Sequence, residues 1–362
     1  TGIALDFETK SSYSVRVNVN DGANNFEKAF TISITDVNDA PTALSIGSTT
    51  INENSAAGST IGQMSSTDQD TNDQSTFTYT LVAGDGATDN ASFAVSGRNL
   101  VTADGVALSY ETKDTYLVRV RTADGSGGTF EQALTISITD VNEAPTDLTL
   151  SSSTIAEDQP SGTTIGTFDP ADVDQDENGG GTNTDNNTYT YSLVAGDGDT
   201  DNGSFAINGA GTGIETGIAL DFETKSSYSV RVNVNDGANN FEKAFTITIT
   251  DVNESPTEIA LSSNSIFENQ GSYSQIGIFS NTDSDNGETY TYSLVSGTGS
   301  TNNSSFRIFF NGTTNILTAN NVSFNYETKD SYSIRVRVTD SDSQTYEEAL
   351  TISISDVNEA PT

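Results

Sequence analysis

The sequence predicts an all-β protein built as a tandem array of seven-stranded Greek-key β-sandwich domains. Three observations carry this expectation. Apolar and polar residues alternate strictly in runs such as Tyr13-Ser-Val15-Arg-Val17-Asn-Val19 and Phe30-Thr-Ile32-Ser-Ile34-Thr, the pattern of strands with one face in a core and one in water. No stretch keeps a helical period. One string, Asp-Val-Asn-(Asp/Glu)-(Ala/Ser)-Pro-Thr, occurs four times, at 36–42, 140–146, 251–257 and 356–362.

Cutting after each Thr leaves a fragment, 1–42, and three repeats, 43–146, 147–257 and 258–362. By subtraction the repeats are 104, 111 and 105 residues long, too long for solenoid units and right for small independent sandwiches. Each opens with a strand ending in Glu: Ile51-Asn-Glu53, Ile155-Ala-Glu157, Ile266-Phe-Glu268. An Ile-Gly pair follows at 61–62, 165–166 and 276–277. Next come Asp-x-Asp (68/70, 172/174, 283/285), an aromatic strand such as Phe77-Thr-Tyr79-Thr-Leu81, and (Leu/Phe)-x-(Phe/Tyr)-Glu-Thr-Lys at 108–113, 220–225 and 324–329. A Tyr-led strand then runs into Asp124, Asp236 or Asp340, and a last alternating strand ends in the recurring string. Fragment 1–42 is the second half of such a repeat. It differs from 216–257 only at Ser33/Thr248, Asp39/Glu254 and Ala40/Ser255, as recent duplication would leave it. The natural chain is expected to continue upstream with a segment like 147–215.

Composition excludes whole classes of function. With 51 acidic against 14 basic residues the formal net charge is −37, and there is no Cys, His or Trp. No disulfide framework, Cys/His zinc site, thiol nucleophile or Ser-His-Asp triad can be assembled. Nucleic acid and anionic lipid are repelled, and no apolar run approaches the ~20 residues of a membrane helix. Nucleic-acid binding and membrane insertion are therefore not expected. The carboxylate pairs do not suggest a glycosidase, because they recur at the same addresses in every repeat; no enzyme is expected. A glycan-binding module would need clustered exposed aromatics outside the strand alternation, and the sequence shows none. The Asn-x-Ser/Thr sequons arise by chance in so Asn-, Ser- and Thr-rich a chain.

The acidic residues recur at fixed addresses beside the repeat boundaries. Folding brings several to one pole of a sandwich and the rest to the facing pole of the next, so some eight carboxylates would crowd each junction. A hard divalent cation relieves such repulsion, and Ca²⁺, which takes roughly six to eight oxygens in flexible geometry, suits the cage better than octahedral Mg²⁺. Each motif alone has a plain alternative as turn, acidic loop or half-buried strand; their joint recurrence in one order points to metal.

The order Glu, Asp-x-Asp, Leu-Asp-x-Glu, Asp, Asp-x-Asn-Asp-x-Pro resembles the cadherin repeat, here as a bacterial-type array, over the whole chain. The resemblance implies up to three Ca²⁺ ions at each junction. It assigns the first junction to Asp6, Glu8, Asp36, Asn38 and Asp39 with Asp68, Asp70 and Asp124 of the next repeat. The second takes Glu53, Glu111, Asp140, Asn142 and Glu143 with Asp172, Asp174 and Asp236. The third takes Glu157, Asp221, Glu223, Asp251, Asn253 and Glu254 with Asp283, Asp285 and Asp340. The carbonyls of Val37, Val141 and Val252 are implied ligands as well. Ser109 and Asn325 stand where the pattern has the Asp of Leu-Asp-x-Glu, each removing a charged ligand. With no Trp in the chain, adhesion by insertion of a Trp into a partner is not expected. A stretch from Asp174 to Asp185 also mimics an EF-hand loop, but without flanking helices a Gly/Asn-rich loop over 179–187 is the simpler expectation.

The expected function is that of a calcium-stiffened extracellular segment of a bacterial surface adhesin, acting as adhesive spacer. Its partners would be Ca²⁺, neighbouring repeats of a longer array, and possible self-association or a cell-surface ligand. The alternative is a structural subunit of a self-assembling extracellular filament or sheath.

Overall fold

The computed structural model describes residues 2–70, 76–174 and 188–360. The EF-hand-like stretch lies, from 175 onward, outside these residues. The chain forms two compact units, one of residues 1–144 and 172–187 and one of 145–171 and 188–362.

The first unit holds a hairpin, β1 (Ser12–Asn20) and β2 (Asn25–Ser33), and one sandwich. The sandwich strands are β3 (Ala43–Ile46), β4 (Thr50–Asn52), β5 (Thr60–Thr67), β6 (Thr78–Leu81), β7 (Phe93–Ser96), β8 (Asn99–Thr102), β9 (Thr115–Ala123) and β10 (Thr129–Thr139). They form two four-stranded sheets, ordered β3-β5-β8-β7 and β4-β10-β9-β6. Seven strands become eight segments because the first one changes sheets. β3 pairs antiparallel with β5, and after a break at Gly47-Ser48-Thr49 β4 pairs parallel with β10.

The second unit repeats this plan twice. One sandwich has β11 (Asp147–Leu150), β12 (Thr154–Ala156), β13 (Thr164–Ala171), β14 (Thr190–Leu193), β15 (Phe205–Ile207), β16 (Gly213–Thr216), β17 (Ser227–Asn235) and β18 (Asn240–Thr250). The next has β19 (Glu258–Leu261), β20 (Ser265–Phe267), β21 (Gln275–Thr282), β22 (Thr291–Leu294), β23 (Phe306–Phe310), β24 (Asn315–Ala319), β25 (Ser331–Thr339) and β26 (Thr345–Ser355). The sheet orders are the same as in the first sandwich.

The alternation read from the sequence becomes the core. Val118 and Val120 on β9 and Ile136 on β10 are fully buried with Leu100 and Leu108. Val230, Val232 and Ile247, and then Ile334, Val336 and Ile352, do the same in the following sandwiches. Each such side chain contributes about 1.5–3 kcal/mol by leaving water, and with no disulfide these clusters carry the fold. Hairpin β1–β2 supplies the counter-case. Val15, Val17 and Val19 have the sequence context of Val230, Val232 and Val234, yet are 40%, 43% and 62% exposed where the latter are at 0%, because no facing sheet covers them among the described residues.

The Ile-Gly pair has a mechanical reason. The ladder slips by a residue at Thr60/Gly62, Thr164/Gly166 and Gln275/Gly277. A Cβ on Gly62 or Gly166 would stand 2.5 Å from the carbonyl oxygen of Ser48 or Ser152. Only glycine lets the bulged strand approach the crossing of the first strand so closely.

Candidate metal centre

Each site is built around the Glu that ends the sheet-changing strand. Backbone sterics place the residue after it, Asn54, Asp158 or Asn269, in the left-handed region at φ 52°, 56° and 59°, a conformation Asn and Asp tolerate. This turn drives the Glu carboxylate inward. Glu53 is buried; its Oε1 accepts the Val141 amide at 2.8 Å and its Oε2 the Tyr110 amide at 2.9 Å. Glu157 accepts the amides of Val252 (2.8 Å) and Phe222 (2.7 Å) in the same way. One carboxylate thus ties the recurring Asp-Val-Asn string to the Leu-x-x-Glu turn.

Around this clamp the structure gathers carboxylates in overlapping trios, each offering oxygens within 4.8 Å of one another. In the first unit Glu8, Asp36 and Asp70 form one trio. Glu53, Glu111 and Asp140 form another, and Glu111, Glu143 and Asp174 a third. In the second unit Glu157, Glu223 and Asp251 adjoin Glu223, Glu254 and Asp285. Glu111 and Glu223 belong to two trios each, so each can bridge two cations.

The Asp-x-Asp turns and the string meet through one recurring hydrogen bond. The amides of Asp39, Glu143 and Glu254 donate to the Oδ2 of Asp70, Asp174 and Asp285 at 2.7, 2.7 and 2.8 Å. Within the turns, Asp68 and Asp172 accept the amides of Asp70 and Asp174 at 3.2 Å. Asp124 Oδ1 caps its loop through the amides of Ser126, Gly127 and Gly128. Its Oδ2 accepts Asn38 Nδ2 at 3.1 Å, as Asp340 Oδ2 accepts Asn253 Nδ2 at 3.2 Å. Asn142 Nδ2 donates to the Glu143 carbonyl at 3.0 Å. Asp283 is half-buried in its turn. Asp236, in the second unit, caps its own loop through Ala238 and Asn239.

Asp6 and Asp221 are placed differently. Their Oδ1 atoms accept the amides of Thr9 and Thr224 at 2.9 and 2.7 Å, capping the Glu-Thr-Lys turn. Asn325 does the same for Thr328 at 2.8 Å, and Ser109 Oγ for Thr112 at 3.2 Å. The variable position of Leu-x-x-Glu is therefore a turn cap in every repeat. Glu268, read as a repeat element but not as a ligand, is wholly buried and clamps the amides of Tyr326 (2.8 Å) and Val357 (2.9 Å). These bonds hold its carboxyl below the usual range. The signal was present in Ile266-Phe-Glu268, which matches the two assigned glutamates.

The electrostatics fit a cation. Two like charges about 5 Å apart at an effective dielectric of about 20 repel by roughly 3 kcal/mol. Burial, reinforced by Glu53, Asp174, Glu111 and Asp140, pushes the Glu143 carboxyl up to about 7. Burial, reinforced by Glu157 and Asp285, pushes Glu254 up to about 7 as well. Burial and Asp285 also raise Asp251. Both side-chain oxygens of Glu254, the Asn253 Oδ1 and the Asp68 Oδ2 are buried, and among the described residues no N–H or O–H donor reaches them. Such oxygens are costly without a positive partner. An all-oxygen donor set without His or Cys suits Ca²⁺ and not a thiophilic metal.

Comparison with known proteins agrees with this reading of the fold. The cadherin domain family matches residues 151–250. Over 267 residues the chain is 30% identical to Protocadherin Fat 4 of Mus musculus, covering 70% of this chain and 5% of that protein. It is 28% identical over 282 residues to Cadherin-12 of Homo sapiens, covering 71% of this chain and 34% of that one. The chain thus spans only a small part of these relatives. Extracellular cadherin domains 1-5 of Protocadherin Gamma B2 superpose with a TM-score of 0.65 at 21% identity, covering 98% of this chain and 68% of that one. Mouse Cadherin-23 EC22-24 superposes at 0.59 with 23% identity, covering 86% and 96%. At these identities the solved structures establish the fold. Among the described residues no helix is long and apolar enough to cross a membrane. Residues 151–250 thus belong to the cadherin domain family, and the sandwiches before and after them in the chain share its fold.

Proposed function

We propose that this chain is a Ca²⁺-stiffened spacer segment of a bacterial surface adhesin, with repeats dividing at 42/43, 146/147 and 257/258. The bacterial assignment rests on sequence features: near-identical duplicated halves, no Cys and no Trp. The observation that carries the Ca²⁺ reading is the pair of buried, donor-less oxygens of Glu254 beside Asp285 and Glu223. Three carboxylates and an amide-locked string converge there, and among the described residues no Lys or Arg pairs with them.

Glu157, Glu223 and Asp251 would hold one ion, and Glu223, Glu254 and Asp285 a neighbour, with Asn253 Oδ1, Asp221, Asp283 and Asp340 as further candidate oxygens. Glu53, Glu111, Asp140, Glu143 and Asp174 would act likewise, as would Glu8, Asp36 and Asp70. Bound Ca²⁺ supplies the positive charge these oxygens lack. The chain's part is to present oxygens from two successive repeats to the same ions, so that torsion about the string is restrained. The string is fastened on one side by Glu53 or Glu157 and on the other by Asp174 or Asp285. Extracellular Ca²⁺-binding modules work at roughly millimolar Ca²⁺.

Digestion with an endoproteinase specific for Glu tests the proposal, because Glu143 and Glu254 sit within the strings. Ca²⁺ should protect both bonds, and a chelator should expose them. Equal cleavage rates in the two conditions would contradict it. A second reading is a subunit of a self-assembling filament. Size-exclusion chromatography in Ca²⁺ separates the two: a spacer elutes as a monomer, a subunit as assemblies.

A further inference from the structure

The third sandwich departs from the other two at a place the Ca²⁺ reading does not use. Its β23–β24 hairpin runs one residue pair further than β7–β8, ending on Phe310 paired with Asn315. Alternation sends Phe306 and Ile308 inward, and Phe310 is the next inward position. It lies beyond the core and is 59% exposed. The matching positions are Gly97 and Gly209. Adjacent Phe309 points to the opposite face, where Arg307 stacks between it and Tyr273 at 5.9 and 5.2 Å. The sequence shows no clustered exposed aromatics, and the structure leaves Phe309 and Phe310 both exposed but on opposite faces of β23.

Phe310 overhangs the open side of the sandwich between the edge strands β22 and β23. With Tyr290 and Tyr292 it walls a groove of about 490 Å³. This wall is held in place. The Tyr292 ring stacks on Phe279 at 4.9 Å and 16°, and its hydroxyl donates to Asn281 Oδ1 at 2.7 Å. The polar lining is Asn281, Asn315, Glu288 and threonine hydroxyls, and no Lys or Arg contributes. Aromatic faces next to groups that both donate and accept suit a ligand with an apolar C–H face and hydroxyl edges. The missing cation and the net charge of −37 disfavour an anionic ligand. From this chemistry we propose that the groove of the third sandwich binds a neutral saccharide, with Phe310 as its stacking platform. A ligand-bearing repeat within a spacer goes beyond the Ca²⁺ reading and does not depend on it.

Saturation-transfer NMR on the whole chain in Ca²⁺ tests this, with maltotetraose, cellotetraose, mannotetraose and chitotetraose as probes. At least one probe should receive saturation. Phe310→Gly should lower that transfer at least about fivefold while leaving the melting temperature unchanged, because Gly stands at the matching place in both other sandwiches. Phe309→Ala, on the opposite face, should leave transfer intact. No transfer to any of the four, transfer unchanged in Phe310→Gly, or loss confined to Phe309→Ala would each overturn the proposal.

Discussion

Asp285 Oδ2 accepts the backbone amide of Glu254 at 2.8 Å, while the Glu254 carboxyl is pushed up to about 7 by its burial and by neighbours that include Asp285 itself. The residue that holds the string in place therefore also makes the ion-free site repulsive. Organisation and electrostatic cost come from the same side chain, and a cation reconciles them.

Asp285→Asn separates these roles. The amide carbonyl still accepts the Glu254 N–H, but one negative charge is gone. Ca²⁺ affinity at this site should fall at least about tenfold, because ligand charge tunes it strongly, while melting in chelator should stay the same or rise. Calorimetric titration with parallel thermal melts checks both. Unchanged affinity would remove Asp285 from the ligand set.

The pH dependence in chelator follows from Glu143 and Glu254. Their carboxyls titrate at about 7 in the folded chain against 4.5 ordinarily, so between these values the folded state holds more protons than the unfolded one. Stability is then fully present below about pH 4.5 and lost as pH rises through about 7. Thermal melts in chelator should fall from pH 5 to pH 8, and saturating Ca²⁺ should abolish that slope. A chelator curve that rises over this interval would contradict the charge account.

Ser109 stands where Asp221 supplies a carboxylate, and Ser109 Oγ donates to Glu111 Oε2 at 3.0 Å. The Leu-x-x-Glu turn beside the Glu53/Glu111/Asp140 trio thus carries one carboxylate fewer than the turn beside the Glu157/Glu223/Asp251 trio. Ser109→Asp should strengthen Ca²⁺ binding there and preserve the turn, since Asp6 and Asp221 cap the same turn. A titration indistinguishable from wild type would show that the capping position contributes nothing to the ion.

Glu157→Ala removes the acceptor of two amides, those of Val252 and Phe222. Each buried unsatisfied donor costs about 1–3 kcal/mol, so the sandwich of β11–β18 should lose about 2–6 kcal/mol even in chelator, read by denaturant unfolding. Glu111→Ala, at an exposed side chain, should leave ion-free stability alone and lower only the Ca²⁺ response. If both variants behaved alike, the distinction between clamp and bridge would fail.

Much of this was legible in the sequence because repetition cancels chance. Period two in Tyr-x-Val-x-Val gave β9, β17 and β25 with the correct inward face, and the Ile-Gly pairs turned out to be bulges whose missing Cβ avoids Ser48 and Ser152. Three things were not legible. That Glu53 and Glu157 spend their oxygens on amides depends on where Val141 and Val252 fall in space. That Asp6 and Asp221 are turn caps is invisible when Asp suits both cap and ligand. That Phe310 is exposed depends on the hairpin running one pair past the core edge, which composition does not encode.

Completion of the chain by Ca²⁺ and mere screening by salt differ in what they do to melting. Differential scanning calorimetry of the chain in Ca²⁺ and in Na⁺ at matched ionic strength separates them. Ca²⁺ at about 100 times its dissociation constant adds about 2.7 kcal/mol per site, which for a sandwich of this size is on the order of 10 °C, while Na⁺ should give a small fraction of that. Equal shifts in the two salts would mean that the carboxylates are screened surface charge, and the metal-centre account would be wrong.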